Sequence, residues 1–114
     1  MRIPDSVLEH RIAVRRRQAV GSSSGPRYDA EVTGVHALVV DKAELVLDAR
    51  RDSETRGQQI LSSSQVLVQP EDYVAPGSLV TVWKGKPMER TAEVVASAYL
   101  EHSKAPSQAQ MWLV

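Results

Sequence analysis

The 114-residue chain contains no cysteine and no phenylalanine. Without cysteine there is no disulfide framework, no thiolate nucleophile and no Cys-ligated metal, and the absence fits a reducing compartment. Large aromatic side chains are also scarce, with three Tyr and two Trp, so the 42% apolar content is mainly Val, Ala and Leu. A core of such residues is small, and a partner subunit that binds only the folded state would add to its stability. No run approaches the roughly 18 apolar residues of a membrane-spanning helix, and residues 1–18 lack the apolar centre of a secretory signal. These absences lead to the expectation of a soluble, cytoplasmically made protein with no membrane contact.

What is present fits one domain, 1–114, since domains of roughly 100–150 residues are the commonest. Charged residues make up 25% and net charge is zero, far from the signature of disorder. The charge is unevenly spread. Residues 1–27 carry six Arg against Asp5 and Glu9, a balance of +4, and the remainder carries eight basic against twelve acidic residues, a balance of −4. Regions of opposite sign on one chain can fix register across a repeated interface, although an ordinary solvated surface carries the same pattern.

The hydrophobic pattern is mainly of period two. Over 7–18, Leu8, His10, Ile12 and Val14 alternate with Glu9, Arg11, Arg15 and Arg17, which reads as a strand, while Pro4, Asp5 and Ser6 would also start a helix. The Gly/Ser run 21–25 and Pro26 end that element. Residues 32–40 are β-branched with apolar residues on both faces, as in a strand covered on both sides. Asp41 and Lys42 then read as the tight turn of a hairpin. In the strand that follows, Ala43, Leu45, Leu47 and Ala49 form the buried face, with Glu44 and Asp48 on the wet one. Residues 50–57 hold no aliphatic side chain and read as a projecting loop.

Strand signal returns at 60–61 and 66–68 until Pro70 stops it. Pro76 and Gly77 suit the centre of a type II turn, 79–83 is a short strand, and 84–87 a second turn. Residues 88–100 are ambiguous, because Ala92, Val95, Ala96 and Tyr99 have helical spacing while Thr91, Val94 and Val95 favour a strand; the flanking turns decide for strand. Ala109, Met111 and Leu113 alternate with Gln108, Gln110 and Trp112 in a last strand. The expected fold is mainly β, a small β-barrel of six to eight antiparallel strands with long loops.

Chemistry is hard to find. His10, His36 and His102 lie in three different elements, outside any metal-ligand or triad spacing, and no Walker loop, HExxH or GxGxxG occurs, while GSSSG at 21–25, which fits the letters GxSxG, reads as a linker turn. No catalytic, metal or cofactor-binding residue is therefore assigned, and the chain reads as a non-enzyme. A nucleic-acid module would interleave basic residues with exposed aromatics. Arg11, Arg15 and Arg17 do share one face, with Arg16 opposite, but Tyr28, Tyr73, Trp83, Tyr99 and Trp112 lie elsewhere in the chain. An oligonucleotide-binding barrel is one alternative, and arginine forks serve equally for pairing with a neighbouring subunit's carboxylates. Arg11, Arg15, Arg17, Tyr28, Trp83 and Trp112 are the interface candidates; for either Trp, core packing is the plainer role.

Three stretches carry a resemblance. They are the Arg-rich first strand with its Gly/Ser turn (7–28), the block VAPGSLVTVW at 74–83 with ERTAEVV at 89–95, and YLEHSKAPSQAQMWL at 99–113. In these the chain resembles the head-to-tail stopper, or head-completion, family of tailed phages, and most of all stoppers of phages infecting actinobacteria. The similarity spans nearly the whole chain as a pattern of strands and turns without a single diagnostic motif.

The resemblance implies a virion protein of the neck between capsid and tail, made in the host cytoplasm. It would form a homo-oligomeric ring, a dodecamer or alternatively a hexamer, below the portal and its adaptor and above the tail terminator. Such a ring closes the channel on packaged double-stranded DNA. The 50–57 loop is then the channel candidate, with Arg50, Arg51, Asp52, Glu54 and Arg56, and the 19–31 loop the neighbour contact. A tail terminator or another connector ring is the structural alternative, for which a helix over 88–100 would speak.

Overall fold

The computed structural model describes residues 3–4, 6–18, 27–51, 53–101, 103–104 and 106–114. Eight strands form among them: β1 (His10–Arg15), β2 (Val32–Val40), β3 (Glu44–Leu47), β4 (Gln59–Ser62), β5 (Ser64–Val68), β6 (Leu79–Val82), β7 (Arg90–Leu100) and β8 (Gln108–Leu113). Six of them close into a barrel in the order β1-β2-β5-β8-β7-β6, every pairing antiparallel. β3 and β4 form a separate two-stranded sheet. The expected small β-barrel is thus the fold, and both ambiguous stretches contain strands.

Period two explains the interior. Ile12 and Val14 of β1, Val35, Ala37 and Val39 of β2, Val66 and Val68 of β5, and Ala109, Met111 and Leu113 of β8 point inward and are buried. Helical spacing over 88–100 loses because β7 must present Ala92 and Val94 to this core while both its edges are hydrogen-bonded. Closure pairs every barrel strand on both sides over part of its length, while β7 from Ala96 to Leu100 pairs with β8 alone.

Two irregularities bend the wall. Between β1 and β2 the register slips at Ile12/Val14, and Gly34 opposite has φ 71°, as in a bulge that needs a left-handed residue. In β7 the register slips between Val94 and Ala96, leaving Val95 unpaired in the ladder but buried.

Three loop segments hold the ends. Residues 69–78 run from β5 to β6 through a 3-10 turn (Pro70–Asp72), bring Val74 into the core, and turn at Pro76–Gly77, where Gly77 has φ 94°. The segment before β1 is tied to the residue after β5. The Ile3 amide donates to Gln69 Oε1 at 3.1 Å, and Gln69 Nε2 donates to the Ile3 carbonyl at 2.6 Å. Since β1 and β5 flank β2, this segment spans β2. At the other end of β1 the ladder continues as an arm, with Arg17 bridged to Tyr28, the Gln18 amide on the Arg27 carbonyl and the Asp29 amide on the Arg16 carbonyl. Its Gly/Ser turn lies outside the described residues.

Three sequence expectations are corrected. β2 and β3 are not a hairpin, because β2 pairs with β1 and β5 while β3 pairs with β4. The faces of β3 are inverted: Leu45 and Leu47 are 62% and 60% exposed, and Asp48 just beyond is buried. Alternation located the two faces, but which one is covered is settled by the polar partners that Asp48 finds and Leu45 does not need. Finally, the strand 79–83 stops one residue short, since Trp83 turns into the left-handed region with φ 57°.

Candidate functional site

The segment that departs most from the barrel is the excursion from Asp41 to Ser63. Its strands pair Leu45 with Leu61 and Val46 with Ile60. Leu45, Leu47 and Leu61 share the outer face, and Val46 and Ile60 are half-buried on the other. A two-stranded sheet alone is marginal in water, so polar contacts must hold it.

The contacts converge on Asp48. Its carboxylate accepts from the Arg50 amide at 2.9 Å, Arg50 Nε at 3.0 Å, Arg50 Nη2 at 2.9 Å and Ser53 Oγ at 2.6 Å, and also from Thr55 Oγ1. The Asp48 backbone completes the turn, its amide donating to the Gln58 carbonyl and its carbonyl accepting from the Gly57 amide, both at 2.9 Å. A carboxylate removed from water is tolerated only when its lone pairs are used, and here charged and neutral donors use them. Arg50 beside it holds the Asp48 carboxyl far below the usual carboxylate range against the opposing pull of burial, with Ser53 and Thr55 adding to the effect. Asp48 in turn raises the Arg50 guanidinium above its ordinary value, Glu93 contributing.

Arg50 also reaches the barrel, its Nη1 pairing with Glu93 of β7. Beside that ion pair the Ala49 amide donates to the Val95 carbonyl at 2.8 Å, at the β7 bulge. The bulge thus turns one backbone acceptor out of the ladder and gives it to the loop. At the base of the excursion, Asp41 accepts from Ser64 Oγ at 2.7 Å and Trp83 Nε1 at 3.1 Å, and Trp112 Nε1 donates to Glu44 at 3.1 Å.

The channel-loop candidates therefore separate. Arg50 is half-buried and committed to Asp48 and Glu93, whereas Arg51, Glu54 and Arg56 are exposed on the loop and Asp52 lies outside the described residues. Asp48, Ser53, Thr55 and Glu93 were missed by the sequence reading. The signal was there in the cluster of short donors at 53 and 55 following an Asp and an Arg two residues apart.

The interface candidates separate as well. Arg11 and Arg15 are exposed on the outer face of β1, Arg11 donating to the Leu8 and His10 carbonyls and Arg15 to the Asp29 carbonyl. The Arg15 guanidinium also lies 5.6 Å from the Tyr28 ring centroid. Arg17 is half-buried and runs across Gly77, where an added Cβ would meet its Cδ at 3.0 Å. Trp83 is half-buried, packs on the barrel core, and meets the His10 ring edge-on at 4.8 Å. Trp112 is half-buried on the outer wall against Glu44. Both indoles thus have intramolecular roles, joining the excursion to the barrel.

Among the described residues no group of three His, Cys, Asp or Glu is placed to hold a metal ion. β2 carries the Arg-rich arm at its amino end and the excursion at its carboxyl end, and the excursion's tip returns to β7 at Val95, next to Val94, whose partner Ser78 also holds Arg17 of the arm. Comparison with protein-family models, with curated proteins and with solved structures returns no match.

Proposed function

We propose that the protein is a structural subunit of a phage head-to-tail connector, a non-enzymatic ring-former that joins the portal and adaptor to the tail and closes the DNA channel after packaging. The observation that carries this reading is the placement of the two extensions. A connector ring needs contacts beyond the barrel of each subunit, and this chain carries a basic arm before β2 and, after it, a hairpin whose tip folds back onto β7 and whose outer face is Leu45, Leu47 and Leu61. The closed six-stranded barrel is the scaffold from which both extend.

Ring symmetry supplies the rest. Head-to-tail contacts that close multiply one loop into as many copies as there are subunits. In this reading the 48–58 turn is the element multiplied, and Arg51, Glu54 and Arg56 are its exposed charges toward the lumen and toward each other. Arg50 is the loop's internal brace and not a lumen residue.

The test is genome retention in particles assembled with altered chains. One chain lacks 51–56; the other keeps the Asp48 contacts and carries Arg51→Ser, Glu54→Ser and Arg56→Ser. Incorporation at the normal level with loss of packaged DNA is the expected result for both. Altered chains that assemble and still retain the genome overturn the gate assignment.

A further inference from the structure

We infer that the β3–β4 hairpin and its turn, 48–51 and 53–58, are one rigid lever, latched to the barrel wall by Arg50 at the β7 bulge. The lever comes off that wall without unfolding its tip. The inference concerns the motion of the single chain and stands apart from the ring reading.

The contacts fall into two sets of unequal size. Inside the tip, the Asp48 carboxylate takes five donors, and the Asp48, Gly57 and Gln58 amides are all hydrogen-bonded within the turn. Between lever and wall, among the described residues, stand Arg50 on Glu93 and the Ala49 amide on the Val95 carbonyl at the tip, and Trp112 Nε1 on Glu44 of β3 near the hinge. Apolar burial adds little to the second set. Leu45, Leu47 and Leu61 face solvent and Val46 and Ile60 are only half-buried, so lifting the lever exposes little new surface. Segments with few buried apolar contacts open at low free-energy cost. Only 41–43 and the single residue Ser63 join the lever to barrel strands, which confines a hinge to those positions.

Arg50 is the bolt because one guanidinium serves both sets, with Nε and Nη2 on Asp48 and Nη1 on Glu93. Losing Glu93 undoes the latch and leaves the tip intact. Losing Asp48 dismantles the tip and, with it, the aim of the bolt.

Amide hydrogen exchange on the whole chain separates these cases, with the Val94 amide, which donates to the Ser78 carbonyl, as the barrel control. In Glu93→Gln, protection at Ala49 should fall about tenfold or more, as expected for a lost charge-assisted hydrogen bond. Asp48, Gly57 and Gln58 should keep theirs. In Asp48→Asn all four amides should lose protection together, with Val94 unchanged. Loss at Gly57 and Gln58 in Glu93→Gln would show that the tip melts with its anchor. Unchanged Ala49 protection in that variant would show that Arg50 is no latch. Either result overturns the inference.

Discussion

Asp48 is the residue on which the excursion depends. Its side chain is fully buried and that of Arg50 is 19% exposed. Asp48→Asn should therefore cost roughly 2–3 kcal/mol, below the range for breaking a fully buried pair because Arg50 keeps some water. The pH dependence follows from the lowered carboxyl. A group whose folded value is depressed stabilises the fold above its unfolded value, about 3.9 for Asp, and that contribution is lost as pH falls below it. Denaturant midpoints of wild type and Asp48→Asn should accordingly differ most near neutrality and converge from about pH 4 downward. A gap that stays constant to pH 2 would contradict the assignment. The sequence exposed the polar character of 50–57 but not this hub, because a carboxylate's burial depends on donors that only the folded turn brings within reach.

At the scale of elements, strands were legible and their partners were not. The 32–40 strand appears with the bounds that its β-branched run implied, and Ala109, Met111 and Leu113 face the core as their alternation required. Pairing is a different matter, since β2 passes over its sequence neighbour β3 to pair with β5 across the whole excursion. Nothing in a single strand's pattern encodes that choice. The inverted faces of β3 have a direct consequence. Leu45→Ser, Leu47→Ser and Leu61→Ser should each leave the stability of the isolated chain within about 0.5 kcal/mol, as for other exposed positions. Had these leucines lined the core, each truncation would cost about 2–5 kcal/mol. Urea midpoints decide between the two, and losses of the larger size would show that the leucine face is covered.

At the scale of the molecule, composition foretold a small core, and the barrel interior is indeed mostly Val and Ala around Ile12, Met111 and Leu113. Closure of six strands encloses that core. A ring of such subunits is the central proposal of function. Its most direct test is the mass of the purified chain, measured alone and then with a portal–adaptor assembly of the class proposed as its partner. The expected result is a monomer alone and a ring of twelve, or alternatively six, copies on the template. A chain that stays monomeric beside the template, and instead binds single-stranded oligonucleotides with steep salt dependence, would contradict it.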